Sequence, residues 1–243
     1  MKILVLGASG ATGKLVVQRL ISMKFNVKVV VRESAIIPSE IAESSLVEIN
    51  KGNIAEFSDS ELADLLKGCS AIVSCLGHNI SLKGIFGKPR DLVSRTIRHI
   101  CTIAEKYKND KKLKVLLMST TAYTSTTMGE RNSLGERIIL SILKLILPPH
   151  RDNVLAADYL QNDIRDNNEN LEWIAVRPDT LVNKEKVSEY EVYKSPVRSP
   201  IFNAGKVSRI NVSHFMVALL TDDQSWHEWK FKMPVMYDRS AEK

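Results

Sequence analysis

Gly7-Ala8-Ser9-Gly10-Ala11-Thr12-Gly13 follows directly on the apolar run Ile3-Leu4-Val5-Leu6 and precedes a stretch with apolar residues at Val16, Val17, Leu20 and Ile21. Three of the eleven glycines of the chain fall within these first 13 positions. A strand, a glycine-rich turn and a helix start, in that order, make a cradle for phosphate. Gly7 permits the tight turn, Gly10 lets backbone N–H groups approach a pyrophosphate with no β-carbon in the way, and Gly13 lets the helix pack close to the strand. The helix N-terminus then aims partial positive charge at the phosphates. The pattern predicts dinucleotide binding by residues 7 to 13.

Nineteen residues beyond Gly13, at the end of the run Val29-Val30-Val31, stands Arg32. A carboxylate there would bind the ribose 2′-hydroxyl of NAD, whereas an arginine pairs with a 2′-phosphate and stacks on adenine. The residue type therefore favours NADP(H) over NAD(H), and Ser34 could donate a hydroxyl to the same phosphate.

The elements that must hold these residues are legible in the apolar pattern. Short β-branched runs at Ile3 to Leu6, Val27 to Val31, Leu46 to Asn50, Ala71 to Cys75, Val115 to Met118 and Trp173 to Val176 alternate with amphipathic stretches. Two such stretches are Thr12 to Met23 and Arg90 to Tyr107, the second with Val93, Ile97, Ile100, Cys101 and Ala104 on one face. Continuous apolar strands flanked by helices imply a sheet covered on both faces. The expected fold class is α/β: a Rossmann-like, doubly wound, mainly parallel sheet in one domain spanning residues 1 to 243. Residues from about 179 to 243 form its substrate side, with a small irregular C-terminal cap. Lys184 to Lys206 reads as a long surface loop, followed by a short helix near Val212 to Leu220 and a last strand near Trp229 to Val235.

Composition bounds the function. The chain has 243 residues, 44% hydrophobic and 26% charged, which suits one large domain. Its three cysteines show no C-x-x-C spacing, which points to a reduced, cytoplasmic protein, and Met1-Lys2 runs straight into Ile3-Leu4-Val5-Leu6, so a secretory leader is not expected. The net charge is +6, but the basic residues are dispersed apart from a run between Lys106 and Lys114, so no nucleic-acid partner is expected. The apolar segment Ile138 to Leu147 is far short of the roughly 20 residues of a spanning helix, so no membrane association is expected. It reads as a buried helix or one at a subunit contact. No metal site is expected, because Cys, His and carboxylates do not cluster at ligand spacings.

The motifs together resemble a known family: the atypical short-chain dehydrogenases/reductases, in the NAD(P)H-binding group of biliverdin reductase B, NmrA-like proteins and bacterial NADH-flavin reductases. Beyond the glycine turn, the resemblance rests on Val30-Val31-Arg32, Gly52-Asn53-Ile54, Cys75-Leu76-Gly77, Met118-Ser119-Thr120 and Val176-Arg177-Pro178. It implies that Asn53 and Ile54 flank the adenine, with Asn53 where the family usually has Asp. Cys75, Leu76 and Gly77 would pass beside the adenine-side ribose and phosphates. Ser119 and Thr120 would lie near the nicotinamide, and Pro178 would border its carboxamide. Where the family commonly continues with Gly, this chain has Asp179.

Better-known members place a Tyr-x-x-x-Lys pair at the start of the helix before the sixth strand. The corresponding stretch here, Pro149-His150-Arg151-Asp152-Asn153 and onward, lacks it. His150, Tyr123 and Ser119 stand as substitute catalytic candidates, with His78 beside them. The expected function is an NAD(P)H-dependent oxidoreductase passing a hydride to a small acceptor such as a flavin or quinone. The alternatives are a non-catalytic, NmrA-like redox sensor and, less well supported, a nucleotide-sugar epimerase or dehydratase. The acceptor is not specified by the sequence, and neither a homodimer nor a regulatory protein partner is decided by it.

Overall fold

Six apolar runs become six strands: β1 (Lys2–Leu6), β2 (Asn26–Val31), β3 (Val47–Lys51), β4 (Ala71–Ser74), β5 (Leu113–Met118) and β6 (Leu171–Pro178). The structure is a computed structural model describing residues 1–78, 89–106 and 111–239. All six strands are parallel, in the order β3-β2-β1-β4-β5-β6. Chain direction across the sheet therefore reverses between β1 and β4, the position where an open α/β sheet leaves a crevice at the carboxyl ends of its strands.

The crossovers are helical. They are α1 (Gly13–Ser22), α2 (Ser39–Ala42), α3 (Asp59–Leu66), α4 (Leu92–Lys106), α5 (Leu134–Ile146) and α6 (Pro148–Tyr159), with a wider turn at Leu160–Ile164 continuing α6. Tyr107, the expected end of α4, lies outside the described residues. Successive side chains of a strand point to opposite faces, and β1 shows the result. Ile3 and Val5 join Val16, Val17 and Leu20 of α1 in one core. Leu4 and Leu6 join Leu62 of α3, Ile97 and Ile100 of α4 and Ala156 of α6 in the other. Each of these aliphatic side chains contributes about 1.5–3 kcal/mol when fully buried, so the sheet is clamped between two apolar layers.

The C-terminal part is more regular than the apolar pattern suggests. The expected loop from Lys184 to Lys206 contains β8 (Tyr190–Tyr193), while β7 (Thr180–Val182) and β9 (Lys206–Ser208) form a small parallel pair. The helix expected near Val212 is α7 (Arg209–Thr221). The last strand is displaced from its expected place at Trp229 to Val235. Asp222 accepts the backbone N–H groups of Gln224 and Ser225, which starts a further helix, α8 (Asp223–Trp229). Phe231 then turns the chain with φ +62°, and β10 runs over Val235–Asp238. Beside β6, β10 is parallel, and β8 closes that edge antiparallel to β10, giving eight strands in the sheet.

The segment Ile138 to Leu147 is α5 with its C-cap, and it is not a buried helix: only Glu136 and Leu140 of α5 are buried. No helix among the described residues is long and apolar enough to cross a membrane.

Candidate functional site

The turn after β1 is held by backbone alone. Gly10 N–H donates to the Gly7 carbonyl at 2.9 Å, and Lys14 N–H donates to the Gly10 carbonyl at 3.0 Å. Gly7 sits at φ +76°, and a β-carbon there would stand 2.5 Å from the Cys75 carbonyl oxygen. At Gly13 it would stand 2.1 Å from the Gly7 oxygen, which is what lets α1 begin so close to the strand. Gly10 differs, since its β-carbon would touch nothing but the Gly7 oxygen, at 3.1 Å. The space above Gly10 is therefore open. Thr12 makes no side-chain cap, and the first turn of α1 carries no acidic residue. No side chain therefore compensates the partial positive charge at the N-terminus of α1, as an anion site requires. These features fit the pyrophosphate of a dinucleotide.

The neighbouring strands bring the other sequence-identified residues to the same edge. Arg32 is exposed just beyond β2, without an acidic partner among the described residues. Asn53 caps a short turn at Ile54–Glu56, accepting from Ala55 N–H at 3.3 Å and donating to Glu56 Oε1 at 2.7 Å, and Ile54 is buried beneath it. Cys75 N–H donates to the Leu6 carbonyl at 3.0 Å, which seats Cys75 and Leu76 against the glycine turn while Gly77 is exposed. Burial pushes the Cys75 thiol up to about 12, so it is a packing residue with no thiolate at neutral pH. After β5, Ser119 N–H donates to the Val176 carbonyl at 2.8 Å and Thr121 N–H donates to the Pro178 carbonyl at 3.4 Å. That fastens Ser119 and Thr120 to the end of β6, beside Pro178. The Ser119 hydroxyl is buried with no hydrogen-bond partner among the described residues.

The acid–base candidates separate on inspection. The Tyr123 hydroxyl donates to Gln161 Oε1 at 2.7 Å inside the apolar layer under α4 and α6, and burial raises its pKa. It is bound inward as a structural phenol. His150 lies on the first turn of α6 with its pKa lowered by burial and by the nearby Lys144 charge, which leaves it neutral at physiological pH. His78 directly follows Gly77, and its Nε2 stands 2.9 Å from Asp152 Oδ2. Tyrosine with lysine four residues on does occur, at Tyr107–Lys111 and Tyr190–Lys194. Tyr107 is outside the described residues, and Tyr190 bonds His214 at the far sheet edge, 2.7 Å away.

Sequence reasoning passed over three buried carboxylates that organise this end. Asp152 accepts from Val93 N–H at 2.7 Å, Ser94 N–H at 2.9 Å and the Ser94 hydroxyl, in addition to His78. It thereby caps α4 from a different helix. Burial by itself would raise its pKa, and the bonds from His78 and Ser94 outweigh that and leave it below the ordinary carboxylate range. Arg177, fully buried in β6, forms a two-pronged pair with Glu130 at 2.6 and 2.8 Å and also donates to the Tyr123 and Met233 carbonyls. This ties the loop after Ser119 to the sheet. Asp179, with no left-handed backbone, accepts from Gly205 N–H at 2.9 Å and fixes the cap segment; burial raises its pKa. Arg177 stood in a recognised motif and Asp152 in the stretch replacing the Tyr–Lys pair, but nothing in the sequence names their partners.

A surface groove of about 670 Å³ lies elsewhere, along β8, lined by Tyr190, Glu191 and His214 among others. It shares no residue with the crevice.

Comparison with known proteins agrees with this geometry. The family model described as NAD(P)H-binding matches residues 7–223. No curated protein matches the sequence. Among solved structures, the oxidoreductase ylbE from Lactococcus lactis is 18% identical with a TM-score of 0.67, over 99% of this chain and 92% of that one. ChuY, an anaerobillin reductase from Escherichia coli O157:H7, is 15% identical with a TM-score of 0.67, over all of both chains. A short-chain dehydrogenase/reductase from Veillonella parvula in complex with NADP is 14% identical with a TM-score of 0.66, over 98% and 95%. At such identities the likeness is one of fold, and by the family match across residues 7–223 the chain belongs to the NAD(P)H-binding family.

Proposed function

We propose that the protein is an NADPH-dependent oxidoreductase that delivers a hydride to a soluble, conjugated acceptor of the flavin or quinone kind. The observation that carries this reading is the pairing of an open phosphate cradle at Gly10 with a set of acid–base candidates that offers no ready proton donor. Bound NADPH supplies a hydride at the nicotinamide C4. The chain supplies position: the α1 N-terminus and residues 7 to 13 hold the phosphates, Arg32 pairs with the 2′-phosphate, and Ser119 and Pro178 orient the nicotinamide. An acceptor that takes its proton from solvent needs no tyrosine–lysine pair.

A second reading, a non-catalytic NADP-binding sensor, is favoured by the same inward commitment of Tyr123 to Gln161. Following NADPH oxidation against a panel of flavins, quinones and carbonyls separates the two. Turnover is expected with flavins or quinones and not with simple carbonyls; tight NADPH binding with no turnover on any acceptor would sink the enzyme reading. Arg32→Ala is expected to cut the preference for NADPH over NADH about tenfold or more, the loss of a charge-assisted contact of about 1.5–3 kcal/mol. An unchanged ratio of the two affinities would remove Arg32 from the 2′-phosphate.

A further inference from the structure

Helix α5 presents a side that the fold leaves bare. Leu134, Ile138, Ile142, Leu145 and Ile146 recur at helical spacing and are 50–84% exposed. For comparison, Val16, Val17 and Leu20 of α1 are fully buried. Beside α5 lies a second exposed apolar element from a distant part of the chain. Phe202 is 64% exposed and its ring would contact a β-carbon at Gly135 at 3.5 Å, and Val197 in the same turn is 56% exposed.

The charges around this surface are of one sign. Arg131, Arg137, Lys144 and Arg151 are exposed and have no acidic partner among the described residues. The only acids between Ser119 and Arg151 are Glu130 and Glu136. Both are withdrawn: Glu130 into the buried pair with Arg177, Glu136 into the cap of α5, where it accepts from Ser133. The turn that carries Val197 and Phe202 adds Arg198, and the stretch around it from Val192 to Thr221 contains no acid.

We propose that α5 and the turn from Val197 to Phe202 form a peripheral docking surface for an anionic lipid bilayer, α5 lying in the plane of the interface. A helix of this length is about 20 Å long at 1.5 Å per residue, too short to span and long enough to seat several aliphatic side chains among acyl chains. Its basic flanks meet lipid headgroups, whose charge they complement. A second copy of the chain is the weaker occupant, since a two-fold contact through this face would set cationic side chains against cationic side chains. The length argument that excludes a span does not exclude this arrangement.

The test is sedimentation of the full chain with vesicles of phosphatidylcholine alone and of an equimolar mixture with phosphatidylglycerol, alongside its oligomeric state without lipid. Partition is expected to be tenfold or more stronger on the anionic vesicles and to fall as salt rises. The surface variants Ile142→Ser with Leu145→Ser, and Arg137→Glu with Lys144→Glu, are each expected to lower it on the order of tenfold or more. Both should keep the wild-type melting temperature and NADPH affinity, which separates lost docking from lost folding. Absent binding, equal binding to both vesicle types, or variants that bind like the parent would overturn the proposal. So would a lipid-independent dimer abolished by Ile142→Ser with Leu145→Ser.

Discussion

At the glycine turn, the crevice is made of backbone drawn from seven consecutive residues, 7 to 13; beyond β4 and β5 it is made of side chains joined across 47 and 74 residues, Arg177 to Glu130 and Asp152 to His78. The first region has no charge of its own and relies on what is missing, β-carbons at Gly7, Gly10 and Gly13. The second relies on buried ions whose desolvation is offset only while every partner is in place. A backbone cradle is therefore intolerant of added atoms, and the charged framework is intolerant of lost ones. The first is local and, on the proposed function, holds the phosphates of the cofactor. The second ties the loop after Ser119 to the sheet and α6 to α4, and the proposed function expects it to vary with little effect on the phosphate cradle.

Three substitutions probe that division, beginning with the largest expected effect. Glu130→Ala leaves the Arg177 guanidinium buried without its carboxylate and should cost about 3–5 kcal/mol of stability. Chemical denaturation measures it. NADPH affinity at a temperature where the variant is folded should change less than about threefold, well under the 1.4 kcal/mol that a tenfold change represents; a larger change would join the two regions. Gly13→Ala places a methyl group against the Gly7 carbonyl and should destabilise by about 3 kcal/mol through overpacking, with NADPH affinity down by at least two orders of magnitude. Calorimetric titration decides this, and near-normal affinity would show that the turn does not hold phosphate. Asp152→Asn should cost about 2 kcal/mol at neutral pH through weakened bonds to His78, Ser94 and Val93.

The pH dependence of the last variant sharpens the point. The Asp152 carboxyl titrates below its ordinary value in the folded protein, so the ionised form is the one that folding favours. Its contribution is fully present above the unfolded carboxylate pKa and is lost as pH falls through the lower, folded one. The gap in melting temperature between the parent and Asp152→Asn should therefore close on acidification into the carboxylate range. A gap that stays constant would mean that shape, not charge, holds α4 to α6.

Much of the fold was legible because its signals are local. Six β-branched runs and the amphipathic face of α1 each declare themselves within a dozen residues. The last strand was misplaced because Trp229 and its neighbours look like strand until Asp222 is seen to cap a helix before them, and cap geometry outweighed intrinsic preference. β8 was hidden for a related reason. It is a half-buried edge strand whose pattern is set by pairing with β10, 42 residues away at Tyr193 with Val235 and 48 away at Tyr190 with Asp238.

What the sequence alone determined is the glycine turn and the sheet beneath it, because glycine spacing and apolar period are read within a single strand–turn–helix unit. What only the tertiary structure decided is the rest of the crevice. Tyr123 turned inward to Gln161, and Asp152 found its partners on α4 and beyond β4. Glu130 was taken up by Arg177 and Glu136 by the cap of α5, leaving the exposed aliphatic side of α5 with basic neighbours and no free carboxylate among the described residues. A buried charge is defined by the partner that neutralises it, and an exposed apolar face by the packing that fails to cover it. Both depend on residues far apart in the chain.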